Sequence, residues 1–147
     1  MKSFTMSDRL KFRVFDIKYN QMYYKAQIGN VDPLDGENYT AHTLWITPDK
    51  VDYPCKPHWT HFDEHCDMII MQSTGMKDKK RTLIYEGDLV RNIYDNIVYL
   101  VIWDKDTAGF RLKLNHSKRM ILSCSEELVE TIGNIYENPT LLENEEV

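Results

Sequence analysis

Residues 84–114 constrain what this chain can fold into more than any other stretch. They read IYEGDLVRNIYDNIVYLVIWDKDTAGFRLKL. Gly87 and Asp88 open a strand, Asp95 and Asn96 break it, and an apolar run follows over 97–103. Residues 104–109 break the chain again. Phe110, Leu112 and Leu114 then alternate with Arg111 and Lys113. A period of two marks a half-buried strand, and a short apolar run between turn residues marks a buried one. Strand, tight turn, buried strand, loop, half-buried strand is an antiparallel meander.

Composition supports that class. Nine Tyr, five Phe and three Trp are a high aromatic share, and Tyr and Phe suit strands. A length of 147 residues bounds the chain to one domain or two small lobes sharing a core. The formal net charge of −5 argues against a nucleic-acid coat or a membrane-surface binder. Locally the balance changes. Residues 77–119 hold ten Lys and Arg against six Asp and Glu, and the remainder holds eight against seventeen. The acids of 77–119 are interspersed with its bases, which reads as a mixed solvated surface. Cys55, Cys66 and Cys124 are an odd number without framework spacing, so they are expected as reduced thiols in a cytosol. The first fifteen residues are too polar for a secretory segment. The longest apolar run falls far short of the ~20 residues that a spanning helix needs. A soluble, intracellular protein is expected.

Taken in order, residues 1–9 are polar and expected to fray. Leu10, Phe12 and Val14 alternate with Lys11 and Arg13 as a half-buried strand. Residues 16–20 turn, residues 21–28 form the hairpin partner, and Gly29 and Asn30 end it. Residues 31–66 carry Pro33, Pro48, Pro54 and Pro57 and no sustained period. Proline removes a ladder donor, so elements here must be short. The segment reads as an irregular insertion, with one brief strand at 41–46 and Thr47 and Pro48 placed to start a helical turn. Residues 68–72 form a short strand ending at Ser73, Thr74 and Gly75, and 76–83 a charged connection. After the meander come a basic loop at 115–119, a short strand at 120–122, and a capping box from Ser123 to Glu126. Residues 128–136 return to a strand with Gly133 inside it, the sign of a bulge or a close backbone approach. Asn138 and Pro139 cap a short helix at 140–143, and an acidic end follows.

Four stretches together resemble one family. They are Phe12 to Asp16 with Met22, Met71 to Asp78, Ile84 to Val90, and Ile132 to Pro139. In this order, over residues 10–142, they are similar to the YopX family of bacterial phage and prophage proteins. The resemblance implies a β-rich protein with a C-terminal SH3-like barrel and, further, a homo-oligomer; it implies no enzyme activity. Two positions depart from the pattern. Phe15 stands where the family usually has Trp. Lys80 and Arg81 stand where it usually has Asn-Gly, residues that accept φ > 0. The turn after Asp78 is therefore expected to be looser or of another type. Physically, Glu86, Gly87 and Asp88 fit a sharp turn into a barrel strand, with Asp88 placed to accept backbone N–H groups. Trp103 and Phe110 are placed to pack across a hairpin as core. The functional alternative is an aromatic groove of Tyr85, Trp103 and Phe110 for a peptide or a base.

One cluster has metal-like chemistry: Cys55, His58, His61, His65 and Cys66. Zinc takes four thiolate or imidazole ligands in a tetrahedron, and His61 and His65 are one helical turn apart. No C-x-x-C pair anchors the cluster, so it reads as a loop with scattered imidazoles. Asp63 and Glu64 would serve as a base only beside such a metal. No phosphate-cradling, nucleophile-elbow or H-E-x-x-H motif is present. Glu126 with Glu127 and Glu145 with Glu146 read as solvated faces, Cys124 as a small core residue, and His116 as exposed.

The sequence reading is a mainly β chain with an N-terminal hairpin lobe and irregular insertion over 1–75. An SH3-like barrel with a short C-terminal helix and acidic tail covers 76–147. It assigns no catalytic, cofactor-binding or metal residue and expects no cofactor. The expected role is a non-enzymatic phage or prophage accessory protein in the host cytoplasm. It would bind a second copy of itself and a host or phage protein, without a membrane. The alternatives are a nucleic-acid-binding barrel using the 77–119 bases and, third, a zinc-dependent enzyme using 55–66.

Overall fold

A computed structural model describes the backbone of residues 10–31, 41–47, 58–61, 68–114, 118–121 and 128–143. The chain is mainly β, with eleven strands and one short helix among the described residues. It forms two compact units, one spanning Lys11–Met71 and the other including Gln72–Val147.

The first unit is a sheet built outward from a hairpin. β1 (Phe12–Asp16) pairs antiparallel with β2 (Gln21–Val31), placing Val14 opposite Tyr23 and Phe15 opposite Met22. At the turn between them Asn20 has φ 52°, a left-handed conformation that Asn tolerates. The Asp16 carboxylate accepts the Tyr19 N–H at 3.1 Å. β3 (Ala41–Thr47) pairs with β2, β4 (His58–His61) pairs with β3, and β5 (Met68–Lys77) begins on the far side of β1. Val14, Tyr23 and Ala26 are the core, with Phe12, Met68 and Ile70 packed against it.

Three differences from the sequence reading are physical. β2 does not stop at Gly29 and Asn30 but runs on to Val31, because β3 supplies a ladder along its whole second half. Among its described residues the insertion holds two strands, β3 and β4; the prolines lie outside both. β1 is buried on both faces, Arg13 included, and Leu10 lies outside it, 64% exposed. With a neighbour on each side and both faces covered, β1 buries the polar half of its alternating pattern as well.

The second unit contains the meander. β6 (Leu83–Tyr85) leads into β7 (Asp88–Asn92), β8 (Val98–Asp104), β9 (Gly109–Leu114) and β10 (Lys118–Ile121). β11 (Val129–Asn134) returns to pair with β7, giving the order β10-β9-β8-β7-β11. The sheet curls into a half-barrel, and no pairing between β10 and β11 closes it among the described residues. Val90 faces Tyr99 and Val101 faces Leu112 across the ladders. With Ile84 and Val129 they form the core, and Met76, Ile97, Phe110 and Leu114 pack against it. α1 (Thr140–Glu143) follows, with the Asn138 carbonyl accepting the Leu141 N–H at 3.1 Å. β5 does not end at Ser73 but continues to Lys77 through Gly75, at φ 79°. Ser73 Oγ accepts the Gly75 N–H and Thr74 Oγ1 the Met76 N–H, so local side chains satisfy this irregular stretch. The capping box at 123–126, Cys124, His116 and the acidic end beyond Glu143 lie outside the described residues.

Candidate binding surface

Four polar residues of the family-like stretches, Asp16, Asp78, Asp88 and Asn134, lie at or beside turns, and their side chains accept backbone N–H groups. Asp78 is 1% exposed. One carboxylate oxygen accepts the N–H groups of Lys80 at 2.9 Å and Thr82 at 2.8 Å. The other reaches Thr131 N–H at 3.0 Å, fifty-three residues along the chain. A single side chain thus closes its own turn and fastens it to β11. The turn also needs one left-handed residue, and Arg81 supplies it at φ 67°. Arginine thus occupies a left-handed position, the conformation that Asn and Gly accept most readily.

Asp88 does the same work between β6 and β7. It is 1% exposed and accepts the Tyr85 N–H at 2.8 Å. Gly87 sits between them at φ 82°, donates to the Val101 carbonyl at 2.9 Å and accepts from Ile135 N–H at 3.0 Å. The turn after β11 repeats the device with an amide. Asn134 Oδ1 accepts the N–H groups of Tyr136 and Glu137, and its Nδ2 donates to the Glu137 carboxylate at 2.6 Å. Asn138 Oδ1 turns back to Asn134 N–H at 3.3 Å instead of capping α1. A Cβ at Gly133 would lie 2.4 Å from that oxygen, so the glycine marks a close approach beside the bulge between Thr131 and Gly133.

The large apolar side chains exposed among the described residues include Tyr19, Tyr24, Tyr94 and Trp103, beside Leu10, Ile17 and Ile93. Trp103 follows Tyr99 and Val101 at steps of two on β8 and so shares their face, where the core ladder runs out toward water. It is 45% exposed, a correction to the expectation that it is core. The pairing across the hairpin is as expected: Trp103 stands opposite Phe110, with ring centroids 5.1 Å apart and planes at 74°. Beside them Arg111 Nε donates to Thr107 Oγ1 at 2.8 Å and lies 3.4 Å from the Asp104 carboxylate. Of the alternative aromatic groove, Tyr85 is buried and Phe110 half-buried, so the three rings do not form one exposed surface.

The bases of 77–119 are partly neutralised. Glu130 on β11 accepts Lys79 Nζ at 2.6 Å and also pairs with Lys80. Hydrogen bonds from Lys79 and then Lys80 pull the Glu130 carboxyl down to about 2, and the bond to Glu130 raises Lys80. Of the metal-like cluster, His58 and His61 lie on β4, three residues apart on a strand. Cys55, His65 and Cys66, with Asp63 and Glu64, lie outside the described residues.

The profile of the YopX family, described as YopX protein, matches residues 11–143. The chain belongs to the YopX family. No curated protein matches it. Among solved structures it is similar to the protein described as "Crystal structure of protein EF1440 from Enterococcus faecalis". That match has 22% identity and a TM-score of 0.55, covering 90% of this chain and 96% of the other. At that identity the likeness speaks for the fold.

For this YopX-family chain, sequence reasoning located the turns but missed two of their anchors. Asp78 looks like one more surface acid in a charged connection, and only the pairing of β11 brings Thr131 to it. Glu130 sits in a strand pattern with nothing nearby in sequence to mark it as the partner of Lys79 and Lys80. The available signal was the repeated pairing of an acid or amide with a neighbouring turn residue, at Asp78, Asp88 and Asn134.

Proposed function

We propose that this protein is a phage or prophage accessory protein that works by binding in the host cytoplasm, as a homo-oligomer and without catalysis. The observation that carries the reading is Trp103. A large ring, half in water and braced edge-on by Phe110, is the kind of rigid apolar anchor that dominates protein contact surfaces. The polar side chains of the YopX-like stretches support it from the other side. Asp78, Asp88 and Asn134 accept backbone N–H groups, a structural use of two acids and an amide that would otherwise suggest chemistry. The nucleic-acid alternative draws on the 77–119 bases, and Lys79, Lys80 and Arg111 are already held by acids. That weighs against it.

Sedimentation of the purified protein and its Trp103→Ala variant tests the reading. The parent should sediment as more than one 17.5 kDa chain. The variant should associate more weakly while its denaturant midpoint stays close to the parent's. A monomeric parent would remove the homo-oligomer. A salt-sensitive gel shift with DNA or RNA, steep in the way phosphate contacts require, would replace this reading with the nucleic-acid one.

A further inference from the structure

β11 is the last strand of its sheet among the described residues, so one of its long sides has no neighbouring strand there. A strand points the backbone groups of alternate residues to each side, and an uncovered side is a template for a strand of another chain. The inner side of β11 belongs to β7. The outer side presents the Val129 carbonyl and the Thr131 N–H, and the 78–82 turn takes both. Lys79 N–H donates to the Val129 carbonyl at 3.0 Å. The Asp78 carboxylate accepts the Thr131 N–H at 3.0 Å, where a neighbouring strand would offer a carbonyl. A turn thus makes the bond pair of a strand, half with backbone and half with a side chain.

The ion pairs fall on the residue between. Glu130 accepts Lys79 Nζ at 2.6 Å and pairs with Lys80, so the turn grips three consecutive residues of β11, from 129 to 131. Its own backbone is held separately, because the other Asp78 oxygen accepts the Lys80 and Thr82 N–H groups. β11 contains no proline and no lysine that would protect the edge by itself. The bulge between Thr131 and Gly133 spoils pairing beyond, so 129–131 is the regular stretch that needs cover. A loop laid along an edge is one way sheet proteins keep second copies from pairing there. We propose that the 78–82 turn is an edge guard: it occupies the outer side of β11 and prevents the β11 strands of two copies from pairing antiparallel. This goes beyond the proposed function and does not rest on it; in a homo-oligomer the guard excludes this edge from the contact.

Sedimentation of full-chain variants tests it, with a thermal melt to confirm folding. Asp78→Asn replaces a charged pair of acceptors with one neutral amide oxygen, and Glu130→Gln removes the ion pairs. Together they should tighten self-association roughly tenfold or more over the parent, since the freed edge adds a contact. Thr131→Pro in that background takes away the N–H that the new pairing needs and should return association to the parent's level. If the double variant loses its cooperative melt, Glu130→Gln alone is read in the same way, with a gain of roughly two- to threefold expected. A folded variant that associates no more tightly than the parent overturns the guard. So does extra association that Thr131→Pro leaves in place, because it runs through another surface. The parent's own oligomeric state enters only as the baseline, so a monomeric parent removes the homo-oligomer and leaves this test intact.

Discussion

Two turns in the second unit use one device with different residues at its centre. The 85–88 turn and the 78–82 turn are each closed by an Asp that is 1% exposed and accepts backbone N–H groups, and each holds one residue at positive φ. At the first that residue is Gly87, buried, with its N–H bonded to β8 and its carbonyl to the turn after β11. At the second it is Arg81, exposed. At the buried turn the left-handed residue is glycine, which takes that conformation without a crowding Cβ. The exposed turn tolerates strain because the surrounding bonds over-determine its shape and the side chain lies in water. Both turns are framework, and only the second holds its left-handed residue at the surface.

The largest expected effect comes from removing the closing acid. Asp78→Ala strips acceptors from three backbone N–H groups, two in the turn and one in β11. Hydrogen bonds to a charged group are stronger than neutral ones, and buried donors left unmet are costly. A loss of about 3–5 kcal/mol is expected by denaturant titration. The comparison fails at its root if the variant unfolds at the parent's midpoint.

The residues at positive φ should then respond with opposite signs. Gly87→Ala places a Cβ at φ 82° in a buried turn and should cost about 1–2 kcal/mol. Arg81→Gly relieves φ 67° and should gain about 0.5–1 kcal/mol, the relief outweighing the added freedom of the unfolded chain. Thermal melts of the two variants side by side check this. Equal signs would mean that the turns are not the same device.

How much of this the sequence carried follows from where each cause lies. The meander was legible because alternation and turn residues are local, and β7, β8 and β9 follow it. Gly133 was legible as a close approach, and Asp88 as an acceptor within its own turn. The partner of Asp78 was not, because Thr131 is reached only when β11 pairs with β7. Trp103 misled for the same kind of reason. Its spacing from Tyr99 and Val101 places it on the core face, but only the fold shows that this face meets water at that end of β8. β4 was hidden by the prolines on its flank at Pro54 and Pro57, which read as the end of regular structure although His58 to His61 lies clear of them.

The smallest effect is electrostatic. Glu130 titrates near 2 in the folded chain because of Lys79 and Lys80, against an ordinary 4.5. Its contribution is therefore fully present above about pH 4.5 and is lost as pH falls toward 2. Glu130→Gln should flatten that part of the stability–pH profile and leave the neutral region nearly unchanged, since exposed pairs contribute little. An unchanged acid limb would mean that the clamp over the basic turn contributes nothing.

The central claim is that the acids of the YopX-like turns hold backbone. Hydrogen exchange at single amides reads it most directly. The N–H groups of Lys80, Thr82, Thr131 and Tyr85 donate to Asp78 or Asp88. The account predicts that they exchange as slowly as the paired amides of β7 and β8, although two of them lie in a surface turn. In Asp78→Asn the first three should speed up together while Tyr85 stays protected. Exchange of Lys80 and Thr82 at open-loop rates in the parent would contradict it.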